Sequence, residues 1–267
     1  MQHTKNRFLV IINTITLAVV LFVNYASNAY LFNETTVAGV SHKYDTVFAP
    51  AGYAFIIWGI IFLLCICFII YQWVLLKNDK KQYIYRTGLW FAISNIANAL
   101  WVYCWVNEWL GLSVVLILIL LLSLIILTLR LRLELDDEPV RTIFFVWWPI
   151  AIYLGWIMVA TIACIASWLV YIQWNGFGIA DTIWCIIMIA AALLLYIILL
   201  QKRNLRESAF VGIWSFIAIA VRQWNVHNNI VVTAIAALVI LTILVTMQVY
   251  KNRYYSPFEK IKRGEWR

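Results

Sequence analysis

Apolar runs of close to twenty residues recur along this chain, separated by short polar breaks. A helix crossing the hydrocarbon core of a bilayer needs about 20 mostly apolar residues. On that measure the pattern predicts eight spans, over residues 8–26, 54–76, 88–106, 112–129, 143–170, 180–200, 209–223 and 230–250. The run at 143–170 is long enough to tilt or protrude, and the run at 209–223 is the shortest of the eight. The longest break without the character of a span is 27–53.

Composition removes the soluble alternative. Hydrophobic residues make up 65% of the 267 positions and charged residues only 12%, about half the charged share of an ordinary soluble domain. There is too little polar surface to face water, so the bilayer is the solvent. Charge placement tests the count of spans independently. With the N-terminus inside, 18 of the 20 Lys and Arg fall on the inner side, as the enrichment of cytoplasmic loops in basic residues requires. Only Lys43 and Arg222 fall outside. The expected fold is an all-α polytopic transmembrane bundle of about eight spans, with both ends inside. The first span has a basic start and resembles a signal peptide, but Tyr25–Ala29 is a loose match to a cleavage site, so it is expected to stay as an anchor. Cleavage would leave seven spans. The tail 251–267 carries six basic residues and reads as a topology signal attracted to anionic lipid. Asn33-Glu34-Thr35 is a glycosylation sequon that matters only in a secretory eukaryotic pathway.

The 15 Trp residues exceed what interfacial belts need, and several fall inside the apolar runs. Three stretches concentrate them. Phe48-Ala49-Pro50-Ala51-Gly52-Tyr53-Ala54-Phe55-Ile56-Ile57-Trp58 leads into the second span; Pro near a helix start costs no hydrogen bond. Phe55 and Trp58 share a helical stripe, whereas Tyr53 and Trp58 do not. In Asn95–Trp105, Asn98, Trp101 and Trp105 occupy one face, and an Asn in hydrocarbon must point into the bundle to find a partner. In Trp147–Ala160, Pro149, Tyr153 and Trp156 share a face, and Pro149 frees a backbone carbonyl and can kink the helix.

Together these stretches resemble the translocator protein / tryptophan-rich sensory protein (TspO/MBR) family. Pro50, Gly52, Tyr53, Phe55 and Trp58 are similar to that family's second-helix Pro-Pro-Gly-Trp-x-Phe-x-x-x-Trp motif, with Ala51 interrupting the proline pair and Tyr53 in place of Trp. Asn98 and Trp101 look like its third-helix Leu-Asn-x-x-Trp. Pro149, Trp156 and Ala160 resemble its fifth-helix motif in one of two registers: aligned on Pro149, Tyr153 takes the Trp position; aligned on Trp156 and Ala160, Cys164 takes that of the terminal Asn. The resemblance covers about residues 8–175. It implies a TspO-like five-helix bundle there, followed by three additional helices over 176–250 and the basic cytoplasmic tail 251–267. It also implies an aromatic pocket for a flat hydrophobic ligand such as a tetrapyrrole (porphyrin or haem), with Pro50, Tyr53, Phe55, Trp58, Asn98, Trp101, Trp105, Tyr153 and Trp156 as candidate ligand-binding residues; Trp156, near mid-membrane in the predicted topology, would form its floor.

Enzymatic chemistry finds little support. There is no Walker loop, dinucleotide fingerprint or HExxH, and no nucleophile paired with a base. The five Cys read as packing residues, with no metal site and no disulfide framework. The alternatives to a binding or sensory role are a small-molecule transporter and a porphyrin-modifying enzyme. In the transport reading Arg222 would pair with Asp181 or Glu108 and gate the pocket. No cofactor is required. The partners expected are membrane lipids and a hydrophobic small molecule, with a homodimer open and nucleic acid excluded; the expected location is a bacterial inner membrane.

Overall fold

The computed structural model describes residues 2–77 and 82–266, and among them finds helices and no strand. Lys80, Lys81 and Arg267, three of the basic residues expected on the inner side, lie outside the described residues. The described residues form eleven helices: α1 Gln2–Asn28, α2 Val37–Lys43, α3 Ile57–Leu75, α4 Gln82–Thr87, α5 Trp90–Val106, α6 Leu110–Arg130, α7 Val140–Tyr171, α8 Asp181–Arg203, α9 Arg206–Gln223, α10 Asn228–Lys251 and α11 Pro257–Lys262. Each predicted span coincides with one long helix. Six of these (α1; α3 with its entry turn; α6; α7; α8; α10) are long and apolar enough to cross a membrane. The other two, α5 and α9, are 17 and 18 residues long; at about 1.5 Å per residue they are the shortest of the set.

The packing has two parts that share α7. Helices α1, α3, α7, α6 and α5 close a ring, each touching the next and α5 returning to α1. Helices α8, α9 and α10 pack on one another and join the ring mainly through α9 against α7. The sharing explains why α7 is the most enclosed of the six: 72% of its apolar window is buried, against 28–44% for the others.

Local sequence accounts for the shape of α7. Pro149 has no N–H for the preceding turn, and the five residues Ile143–Trp147 adopt a π-helical turn just before it. Such a turn is a recognised way of absorbing a break in the hydrogen-bond ladder. Further along, small residues let α9 approach closely. A Cβ placed on Gly155 would lie 3.0 Å from the backbone of Ser208, and one on Gly212 would lie 2.6 Å from the Tyr196 ring. Ser208 Oγ donates to Ala151 O at 2.6 Å and Tyr196 OH to Gly155 O at 2.8 Å. Ala151-x-x-x-Gly155 facing Ser208-x-x-x-Gly212 is the small-residue joint typical of membrane helices, where close van der Waals approach and interhelical hydrogen bonds replace the hydrophobic drive.

One end of the bundle collects the basic segments. Arg130 donates to the carbonyls of Tyr85 and Arg86, Arg86 faces Asp136, and Arg206 pairs with Glu134. The C-terminal tail, expected as a topology signal attracted to anionic lipid, folds back here. Val140 N donates to Glu265 O, Pro257 is buried, and the buried Lys260 ammonium pairs with Asp137 and donates to Glu138 O at 2.6 Å. Lys262 and Arg263 are also matched locally, by Glu259 and Glu265. Half of the tail's six basic charges are thus spent on acidic partners within the protein, which leaves fewer for a lipid surface.

Candidate functional site

Helices α3, α5 and α7 of the ring bring the aromatic stretches together near the end opposite the basic one. Trp58 of α3 is the hub. Its ring centroid lies 6.2 Å from Trp101 in a near-parallel stack, 6.0 Å from Tyr153 and 6.4 Å from Trp156, both edge-on. Trp101 stacks on Trp105 at 5.8 Å, and Phe55 meets Trp156 at 6.0 Å. These are the separations at which aromatic quadrupoles attract. The rings enclose a small cavity of about 40 Å³ lined by Pro50, Phe55, Trp58, Trp101, Trp105 and Trp156, with Val159, Ala160, Ala163, Cys164 and Ser167 of α7 and Val37 and Ser41 of α2.

The nine candidate residues divide by position. Pro50, Phe55, Trp58, Trp101, Trp105 and Trp156 line the cavity. Asn98 and Tyr153 form a layer beside it: Asn98 Nδ2 donates to Tyr153 OH at 2.6 Å, and Asn24 Nδ2 donates to Asn98 Oδ1 at 3.4 Å. Asn98 therefore finds its partners inside the bundle, and Tyr153 positions itself against the Trp58 ring. Tyr53 is turned away; its ring packs edge-on against Trp214 of α9, 5.2 Å between centroids. The helical turn explains this, since Tyr53 and Trp58 do not share a stripe. In α7, Trp156, Ala160 and Cys164 lie four residues apart and all reach the cavity, so of the two registers the one through Trp156 and Ala160 faces it.

The 27–53 segment is more ordered than a loop. It contains α2, capped by Thr36, whose hydroxyl accepts from Gly39 N at 3.1 Å, and α2 roofs the cavity through Val37 and Ser41. Trp105 Nε1 donates to Val37 O at 3.0 Å, Asn33 Nδ2 to Val106 O at 2.8 Å and Gln223 Nε2 to Val47 O at 2.8 Å. Glu108 accepts from Lys43 Nζ at 2.6 Å and from the Tyr44 hydroxyl, and these two contacts hold its carboxyl below the usual carboxylate range. Arg222 does not pair with Asp181 or Glu108 as expected. It reaches Asp45 at 2.5 Å and the Pro50 carbonyl at 3.4 Å, because the roof segment brings Asp45 over α9 while Lys43 and Tyr44 already occupy Glu108.

The indole N–H groups of Trp101 and Trp156 are buried without a hydrogen-bond partner among the described residues. Beyond Phe55 and Trp58 a wider cleft of about 410 Å³ opens between α1 and α3, bounded by Leu21, Asn24, Tyr25 and Phe62. The two rings form the partition between cleft and cavity.

The family model for TSPO-like protein matches residues 10–247, nearly the whole chain. The chain belongs to the TSPO-like family. The match runs past residue 175 and takes in α8, α9 and most of α10 as well as the five-helix ring. No curated protein and no solved structure matches the chain. This TSPO-like protein is therefore a multi-pass helical membrane protein with a tryptophan-rich cluster at the heart of its ring.

Proposed function

We propose that this TSPO-like protein binds a flat hydrophobic ligand of the tetrapyrrole type in the aromatic cavity, with its basic end on the cytoplasmic side. The observation that carries the reading is the convergence of Phe55, Trp58, Trp101, Trp105 and Trp156 from three helices around one cavity. Planar apolar faces stack on such rings, and the unpartnered indole N–H groups of Trp101 and Trp156 would donate to acceptors on the ligand. A cavity of about 40 Å³ is closed compared with the roughly 300–1,000 Å³ of ordinary ligand sites. Binding thus requires Phe55 and Trp58 to swing and join the cavity to the cleft beyond them.

Titration of protoporphyrin or haem into the purified protein, followed by Trp fluorescence quenching and the Soret band, tests the proposal. Each aromatic contact is worth about 0.5–1.5 kcal/mol beyond area burial. Trp58→Ala and Trp101→Ala are therefore each expected to weaken binding by about tenfold. Parent-like binding by both folded variants would overturn the reading.

A further inference from the structure

A large cleft lies away from the aromatic cavity. It measures about 520 Å³ and runs between α3, α7 and α9, from Ile56 and Ile60 past Ile152 and Trp214 to Arg206 and Glu207. At its basic end it is closed by Ser256, Pro257 and Phe258 of the folded-back tail. Its walls are almost wholly apolar, so the charged pair at one end stands out. Ionisable groups enclosed in a membrane protein are costly and mark sites of function by default.

The pair is incompletely satisfied within the protein. Arg206 is 5% exposed and pairs through its Nη2 with Glu134 Oε2 at 3.2 Å, while its Nε has no hydrogen-bond partner among the described residues. Glu134 Oε2 accepts this contact and one from Asn204 Nδ2 at 3.0 Å, while its Oε1 has no hydrogen-bond partner among the described residues. Glu207, on the next residue of α9, borders the cleft and is not the ion-pair partner of Arg206. The end of the cleft therefore offers a buried cationic donor beside a carboxylate, at the foot of a long oily slot. From Arg206 to Trp214 is eight residues of helix, about 12 Å, enough for a substantial length of extended acyl chain.

We propose that this cleft holds one acyl chain of a zwitterionic phospholipid bearing a primary ammonium head, with the phosphate at Arg206 Nε and the ammonium at Glu207. A head with an anionic acceptor two carbons from a cationic donor satisfies both groups at once. A purely anionic lipid leaves Glu207 unpaired and facing like charge. A quaternary ammonium head lacks the N–H donors that a carboxylate accepts.

The test uses the full-length protein in nanodiscs containing photoactivatable diazirine analogues of phosphatidylethanolamine, phosphatidylcholine or phosphatidylglycerol, with labelled residues mapped by peptide mass spectrometry. The ethanolamine lipid is expected to label residues 206–214 and 148–152 at least threefold more than the other two. Glu207→Gln should remove that preference over the choline lipid. Ile60→Trp, which fills the slot and leaves the charges intact, should reduce labelling by all three lipids there. Equal labelling of the parent by the three lipids would identify ordinary annular lipid and overturn the proposal. A preference for phosphatidylglycerol, or no loss of labelling in Ile60→Trp, would overturn it as well. Porphyrin titration of the same variants is expected to match the parent, so failure here is separable from failure at the aromatic cavity.

Discussion

Glu134 shows how far a single carboxyl can be moved by its setting. It lies in the turn between α6 and α7, enclosed at the basic end, and burial first, then the neighbouring charge of Glu207, pushes it up to about 7, against the opposing pull of Arg206 and Asn204. Its ordinary value is 4.5, so the folded protein holds the proton more tightly than the unfolded chain. By linkage, that stabilisation is complete below about 4.5 and is lost as pH rises through about 7. Thermal unfolding of the parent and of Glu134→Gln across pH 4–8 isolates the effect. The parent is expected to lose stability relative to the variant between about pH 4.5 and 7, and a constant difference would refute the assignment. At the same scale, Asn98, Trp101 and Trp105 were legible in the sequence because their i, i+3, i+7 spacing is a backbone property that survives folding. Arg222 was not: its partner Asp45 is 177 positions away, and no local pattern selects it over Asp181 or Glu108.

Among elements, α7 and α9 decide how the two parts of the molecule meet. Their joint rests on small residues, so an added methyl has a different sign at different glycines. Gly155→Ala places a Cβ 3.0 Å from Ser208 backbone, where nothing soft can give way, and is expected to destabilise by about 1–3 kcal/mol. Gly59→Ala meets nothing within 4 Å and should stabilise α3 by about 0.5–1 kcal/mol. Thermal or chemical unfolding in detergent measures both, and the same sign for the two would refute this account of the joint. The Ala151/Gly155 and Ser208/Gly212 spacings are written in the sequence. They became meaningful only once α7 and α9 were found side by side, since four-residue spacings of small residues are common in any apolar helix. The roof helix α2 is the converse case: seven residues capped by Thr36, with no apolar run long enough to announce them.

At the scale of the whole molecule, the contacts place the basic turns together at one end and Lys43, Asp45, Glu108 and Arg222 at the other. Single cysteines introduced at Leu135 and Phe177 of a Cys-free background should react with an impermeant thiol reagent from opposite sides of sealed vesicles, Leu135 from the cytoplasmic face. Labelling of both from one side would break the arrangement, and with it the proposed orientation of both ligand sites. The sequence by itself determined the number, order and alternation of the long helices, because the length of an apolar run and the placement of Lys and Arg are answers to the thickness and charge asymmetry of the bilayer, and need no partner. It also marked most of the aromatic cluster, since helical periodicity puts those rings on one face of each helix. Which faces meet was decided by tertiary structure alone. The shared position of α7, the closure of Trp58 on Trp101 and Trp156, the turning of Tyr53 to Trp214 and the return of the tail to Asp137 all depend on shape and charge matching between segments far apart in the chain, which no local window of residues contains.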